Sequence, residues 1–577
     1  MIQKHVARYR LLLTAAACSA AATIAATPAH AQTLRPLVSD IKDVRQTCHR
    51  LLDVPMMNGK VMLAQMETAT PYRADLAAPG AGDTPARPQH CLVRGALNQR
   101  TGIDGTPYAL QFELRLPVDW NGRFWYSGGG GMDGVLFAAD GAEKVMTQEK
   151  PSALARGFAV ITTDSGHQAD MFAPGNEAYL FGVDPQARDE YGDQQIPLTH
   201  GAGMRLIARA YGAAPARSYF YGVSNGGRQA MKAAQRYPYL FDGIVNYASG
   251  FRLTQAALAG GIFRAQQAAK IAPKKPDGTP DIAQPLTPEK FQLITDQILN
   301  NCDALDGAKD GMVYSQQCRI DPMKWTCGTL QDKICLTPKE ALYLRDVIAG
   351  PKLRSGKPIY APLAIDPYLH YAITYPFFPF YPLLWGGTSH LLATPPTVGN
   401  DMMSYLLKAD LDTEYAKAFA TTDVYKRPGV EFTNADSPNL DAFMRHGGKL
   451  ISFTGAADQV FSAVDAANYQ EDLFDRYGRE KTDAFTQLFI IPGLGHVMPY
   501  THSVSYVDLI AAIVDWTENG KSPDGLMATA LKDAAWPGRS RPICAYPQIT
   551  VYKGSGSIED GRNFICREQP KGESSAR

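Results

Sequence analysis

The 577-residue sequence has no excess of charge of either sign, 57 Lys and Arg standing against 57 Asp and Glu. Proteins that hold nucleic acid neutralise phosphates with clustered cations. No basic block of that kind occurs, so nucleic acid is not an expected partner. Past the N-terminus there is no uncharged apolar run of about 18 residues, which argues against a membrane-spanning helix. Gln/Asn, Ser/Thr and collagen-like tracts are missing, and 45% apolar residues is too many for a disordered chain. No two cysteines lie two to four residues apart, which disfavours a thiolate zinc site.

The N-terminus reads as an export signal. Lys4, Arg8 and Arg10 precede a small apolar run over 11–26, and Ala29-His30-Ala31 has the small-x-small pattern of a cleavage site. Residues 1–31 are thus expected to be a signal peptide, giving a secreted or periplasmic protein. Removing three basic residues and no acid leaves a net charge of about −3. The alternative is a lipoprotein acylated at Cys18, but Ala15-Ala16-Ala17 precedes it without the usual Leu three positions back. Eight cysteines remain after cleavage: Cys48, Cys91, Cys302, Cys318, Cys327, Cys335, Cys544 and Cys566. An even count in an exported chain points to disulfides, with free buried thiols the alternative. The spacing favours local pairs, 302 with 318, 327 with 335, 544 with 566 and 48 with 91, without fixing that connectivity.

From about 105 to 165, apolar and aromatic stretches alternate with turn residues, as strands do. A helix near 200–212, a strand over 218–223, a helix over 225–236 and a strand over 243–247 follow. This alternation predicts an α/β sheet. Between 252 and 445 the character changes: Pro is frequent, four cysteines cluster, and aromatics gather over 375–385, among them Phe377, Phe378, Phe380, Tyr381 and Trp385. The βα rhythm returns at 448–453. The expected organisation is a hydrolase-like domain in two parts, 32–251 and 446–577, around a lid inserted at 252–445. The aromatics either fill the lid core or stack on a planar acyl group.

Gly222-Val223-Ser224-Asn225-Gly226 is the chain's Gly-x-Ser-x-Gly match, between a strand-like 218–221 and a helix-like 228–236. A sharp strand-to-helix turn lifts a serine hydroxyl out of a sheet, and the flanking glycines make room for it. Without that context the motif is an ordinary glycine-rich turn. The N–H of Asn225 would face a developing oxyanion at the positive end of the helix. A nucleophilic serine needs a base and a carboxylate, in the order Ser, Asp, His. Asp458 follows the strand at 449–454 and His496 the strand at 487–491; the bland reading of His496 is a structural histidine, and His502 is its nearest competitor. A second oxyanion donor is expected from Gly128-Gly129-Gly130-Gly131, with Gly130 and Gly131 the candidates. The run lacks the Lys-Ser/Thr ending of a phosphate loop. The acidic loop over 303–312 reads first as a solvated turn, with Ca²⁺, which its hard oxygen ligands suit, as the alternative; it is not an EF-hand.

The segments 221–245, 448–458, 492–496, 514–524 and 539–547 resemble the tannase and feruloyl esterase family, which includes the mono(2-hydroxyethyl) terephthalate hydrolases. The resemblance implies an α/β-hydrolase fold with a large inserted lid domain, Ser224, Asp458 and His496 as a triad, and esters of aromatic acids as substrates. The partner it implies is a small aromatic ester, free or attached to a plant cell-wall polysaccharide or polyphenol, and hydroxycinnamates rank first, gallates second and terephthalate half-esters third. It also implies a structural Ca²⁺ in the lid, held by the side chains of Asp303, Asp306 and Asp310 and the carbonyls of Ala308 and Met312, and no organic cofactor. The family's cysteines before the nucleophile and after the histidine are Val223 and Val497 here, the exchange expected of a packed apolar pair. The competing class is a non-catalytic hydrolase-fold protein that binds aromatic or cell-wall ligands.

Overall fold

The computed structural model describes residues 34–73, 84–142, 151–169, 177–314, 317–370, 391–397, 401–496 and 502–568. Its centre is a nine-stranded mixed sheet. The strands are β1 (Lys60–Glu67), β2 (His90–Thr101), β3 (Pro107–Pro117), β4 (Arg123–Ser127), β5 (Ala159–Thr163), β6 (Arg217–Val223), β7 (Gly243–Tyr247), β8 (Lys449–Gly455) and β9 (Thr486–Ile491). Their order is β1-β2-β3-β5-β4-β6-β7-β8-β9. The first three form an antiparallel meander, β5 runs antiparallel to β3, and β5, β4, β6, β7, β8 and β9 are mutually parallel. The exchange of β4 and β5 in the order is a crossover, and it brings the glycine-rich loop after β4 beside the end of β6.

Parallel strands buried on both faces are apolar without interruption, and their side chains alternate between two cores. Along β4, Phe124 and Tyr126 enter one core and Trp125 the other; along β6, Phe220 enters the first and Tyr219 and Tyr221 the second. Helices Gln195–Tyr211, Asn225–Arg236 and Ala463–Tyr477 cover the first face, supplying Leu206, Ile207, Met231 and Leu473. Helix Leu509–Asn519 covers the second with Ile513, Val514 and Trp516. Two C-terminal ribbons, β10 (Gly525–Thr529) with β11 (Ser540–Cys544) and β12 (Gln548–Tyr552) with β13 (Phe564–Glu568), add Leu526, Ile543 and Ile549 to that core.

The adjacent parallel strands β7 and β8 are joined through the largest connection in the chain, from Tyr247 to Lys449, and the insertion expected at 252–445 falls within it. Among its described residues the regular elements are helices, with Pro288–Cys302, Pro338–Ala349 and Met402–Lys408 around a core that includes Ile294, Trp325, Leu344 and Leu406. Helix Pro338–Ala349 opens on a capping box, Thr337 with Glu340. The disulfides join Cys48 to Cys91, Cys302 to Cys318, Cys327 to Cys335 and Cys544 to Cys566, the local pairs that the spacing favours. Among the described residues no helix is long and apolar enough to cross a membrane.

Candidate active site

β6 ends at Val223, helix Asn225–Arg236 starts one residue later, and Ser224 makes the whole turn with φ 61° and ψ −119°. Such a conformation costs a non-glycine residue roughly 1–3 kcal/mol and persists only where its surroundings enforce it. The glycines are part of that enforcement. A Cβ on Gly222 would stand 2.0 Å from the Gly226 carbonyl oxygen, and one on Gly226 would stand 2.5 Å from that of Gly129. The Ser224 N–H donates to the Tyr247 carbonyl at 3.0 Å, which pins the turn to β7.

The loops after β8 and β9 meet at this serine. Ser224 Oγ lies 2.7 Å from His496 Nε2, and His496 Nδ1 lies 2.9 Å from Asp458 Oδ2. A carboxylate at Nδ1 can only accept, so the proton sits on Nδ1 and leaves Nε2 to accept from the serine hydroxyl. The second carboxylate oxygen of Asp458 accepts the N–H groups of Val460 at 2.7 Å and Phe461 at 2.9 Å, which fixes the carboxylate plane. Gln459 Oε1 accepts the His496 N–H at 3.0 Å, and the Phe461 ring meets the imidazole edge to face at 5.2 Å between centroids. Asp458 and His496 are both buried. The structure brings the three triad candidates together; Gln459 and Phe461, which the sequence does not single out, join them through adjacency to Asp458.

Gly130 and Gly131 continue the loop whose Gly128 and Gly129 pack against Gly226 at the N-terminus of the elbow helix. The first N–H to close a helical bond there is that of Arg228, onto Ser224, so the N–H groups of 225–227 are the free donors of the helix end. A Cβ on Gly130 would meet nothing within 4 Å, so space lies open beside this loop. Asp133, two residues past the glycine run, carries no signal in the sequence that sets it apart from a surface carboxylate. That side chain is buried and accepts from Asn225 Nδ2 at 2.7 Å, from Gln229 Nε2 at 2.6 Å and from Ser165 Oγ. Burial pushes its carboxyl up to about 6, against the pull of those hydrogen bonds.

Several expectations fall elsewhere. His502 stacks on Tyr368 and meets Trp536 edge to face, and the ring at Ser224 is that of His496. Val223 packs against the second core, while Val497, the aromatics at 377–385, Cys18 and the leader at 1–31 lie outside the described residues. In the acidic loop, Asp303 accepts the N–H groups of Asp310 and Gly311, and Asp306 those of Ala308 and Tyr314. Asp310 accepts the Met312 N–H and pairs with Arg541. Burial, with the neighbouring Asp310 and Asp303 carboxylates adding to it, raises Asp306 to about 7. Three hard carboxylates in one turn suit Ca²⁺. Two features weigh against it: Arg541 already neutralises Asp310, and among the described residues no three acidic, His or Cys side chains stand in a metal-holding group.

A family model described as tannase and feruloyl esterase matches residues 95–567. The mono(2-hydroxyethyl) terephthalate hydrolase of Piscinibacter sakaiensis is 34% identical over 542 residues, covering 86% of this chain and 87% of that protein. A probable feruloyl esterase B-1 of Aspergillus fumigatus is 26% identical over 503 residues, 83% of this chain and 86% of that one. The crystal structure of feruloyl esterase B from Aspergillus oryzae matches with a TM-score of 0.73 over 91% of this chain and 100% of its own; at 20% identity, this shows a shared fold.

Proposed function

The chain belongs to the tannase and feruloyl esterase family and is a carboxylic ester hydrolase, and from that premise we propose that Ser224 is its nucleophile, His496 its general base and Asp458 the carboxylate that orients the histidine. One observation carries this reading: a single imidazole bonded at 2.7 Å to the serine and at 2.9 Å to the buried aspartate. Ser224 Oγ bonds to the ester carbonyl carbon while its proton passes to His496 Nε2, and the carbonyl π pair moves onto oxygen. The N–H groups of Asn225 and of Gly130 or Gly131 stabilise that oxyanion. Collapse breaks the bond to the alcohol oxygen, which takes the proton from Nε2 and leaves. Water then attacks the acyl-enzyme through the same base, the proton returns to Ser224, and the acid departs.

The substrate class is an ester of an aromatic acid. The 34% identity to a mono(2-hydroxyethyl) terephthalate hydrolase supports putting terephthalate half-esters at the head of the panel, where the sequence alone ranks hydroxycinnamates first. The leader-like N-terminus supports export to the periplasm or the exterior. Three carboxylates within one turn support reading the acidic loop as a structural Ca²⁺ site held by Asp303, Asp306 and Asp310 with the carbonyls of Ala308 and Met312, outside the chemistry of the triad, a reading that requires the ion to displace Arg541 from Asp310.

The test compares wild type with Ser224→Ala on methyl ferulate, methyl gallate, mono(2-hydroxyethyl) terephthalate and an acetate ester of matched alcohol. Ser224→Ala is expected to fold normally and to lose ~10⁴-fold or more in kcat. For wild type, at least one aryl ester is expected to exceed the acetate by ~10-fold in kcat/KM, about 1.4 kcal/mol of transition-state binding. Normal turnover by Ser224→Ala would remove the mechanism. No turnover of any ester by wild type would favour a binding protein instead.

A further inference from the structure

Asp133, two residues beyond the glycine run, touches none of Ser224, His496 and Asp458, yet its buried carboxylate joins the two backbone segments that supply the oxyanion donors. Its N–H closes a turn onto the Gly130 carbonyl at 2.9 Å. One carboxylate oxygen accepts Asn225 Nδ2, and the other accepts Gln229 Nε2 and Ser165 Oγ.

The polarity of this network is forced from both ends. Arg228 is fully buried and can only donate; its Nη groups are taken by the carbonyls of Tyr191, Gly192 and Thr433, and its Nε donates to Asn225 Oδ1 at 2.7 Å. Asn225 must therefore turn its Nδ2 toward residue 133. On the other side the Gly129 N–H donates to Gln229 Oε1 at 3.2 Å, which turns Gln229 Nε2 toward residue 133 as well. Position 133 has to present two acceptors, and an ionised aspartate does so. An asparagine cannot, because its own NH₂ would meet an NH₂ on one side or the other, leaving a buried donor unpaired.

We infer that Asp133 is a positioning residue of the oxyanion site, which with Gln229 sets the gap between the N–H groups of the glycine loop and that of Asn225. This rests on the function proposed above. It goes further by assigning oxyanion geometry to side chains that never touch the substrate.

The experiment uses Asp133→Asn, Asn225→Asp and the double variant D133N/N225D, assayed on the panel ester that wild type hydrolyses fastest, with melting temperature recorded for each. In the double variant the carboxylate now at position 225 accepts from Arg228 and from the amide NH₂ at position 133, while the amide oxygen at 133 accepts from Gln229, so every donor again faces an acceptor. Asp133→Asn is expected to lower kcat by ~10²-fold with KM within about threefold, the scale of losing one oxyanion donor. Affinity for an aryl trifluoromethyl ketone, whose serine adduct carries the oxyanion, should fall in parallel. Asn225→Asp sets two carboxylates against each other and should be impaired likewise, so it replaces D133N as the single variant if D133N does not fold. The double variant should recover to within about fivefold of wild type. Wild-type kcat in the single variants, a double variant as poor as either, or unchanged ketone affinity alongside reduced kcat would each overturn the inference. Turnover that survives Ser224→Ala would instead overturn the underlying mechanism, whatever the behaviour at 133.

Discussion

At the scale of single residues, the site depends on how closely backbone approaches backbone. Gly226 packs against the Gly129 carbonyl, so Gly226→Ala would push the glycine loop away from the elbow without touching Ser224, His496 or Asp458. The expected outcome is a folded protein with a lower melting temperature and a kcat reduced by ~10²-fold or more, the loss that follows when an oxyanion donor is displaced. Steady-state kinetics beside a thermal melt check it, and a variant with wild-type kcat would show that the loop tolerates the shift. Ser224, Asp458 and His496 are legible in the sequence because each follows an apolar strand and their order is the one the fold requires. Asp133, Gln229 and Gln459 are not. In a sequence, a buried polar side chain that bonds backbone or another side chain looks like any surface residue; only the structure shows what it faces.

Among elements, the insertion braces the loops that carry the acid and the base. Arg264 donates to the Gln459 carbonyl at 2.6 Å, the Ser462 N–H donates to Tyr360 Oη at 3.1 Å, and the Gly493 N–H donates to Asp366 at 2.8 Å. Asp366 is fully buried, its carboxylate accepts only the N–H groups of Gly493 and Tyr368 among the described bonds, and burial pushes that carboxyl up to about 6. A carboxyl whose folded pKa is raised above its unfolded value holds its proton better when folded. Its contribution to stability is therefore greatest below pH 4 and declines until about pH 6. Relative to Asp366→Asn, wild type should lose roughly 3 kcal/mol of stability across that window, at 1.36 kcal/mol per pKa unit. Urea melts of both proteins at pH 4, 5, 6 and 7 measure the gap; parallel profiles would mean that Asp366 does not titrate there. The strands of the central sheet from 107 onward and the elbow helix are readable from apolar runs and turn residues. The β1–β2 meander and the insertion's short helices are not, since mixed polarity and frequent prolines leave no clean period.

For the whole molecule, the sequence exposes the fold class through the return of βα alternation after residue 448, and the disulfide pattern through spacing. The two C-terminal ribbons escape it, because each covers the sheet with one apolar side only and Cys544–Cys566 holds them together. The calcium reading is also tested at this scale. An ion held at about 100 times its Kd stabilises the fold by about 2.7 kcal/mol. Chelation should therefore lower the melting temperature while leaving the initial rate at 25 °C largely unchanged. Elemental analysis that finds no calcium in protein purified without chelator would reject the site, and the pairing of Asp310 with Arg541 would then be its resting arrangement.

The long connection between β7 and β8 also sets a timetable for synthesis. Roughly 200 residues separate Tyr247 from Lys449. At about 5–20 residues per second, the ribosome delivers β8 some 10–40 s after β7. Throughout that interval Gly243-Ile244-Val245-Asn246-Tyr247, buried on every side in the finished sheet, is an unpaired apolar edge, the kind of strand that recruits other chains. The nascent chain at that stage carries its serine elbow but neither Asp458 nor His496. Its period of greatest exposure to aggregation thus falls before any ester can be cleaved.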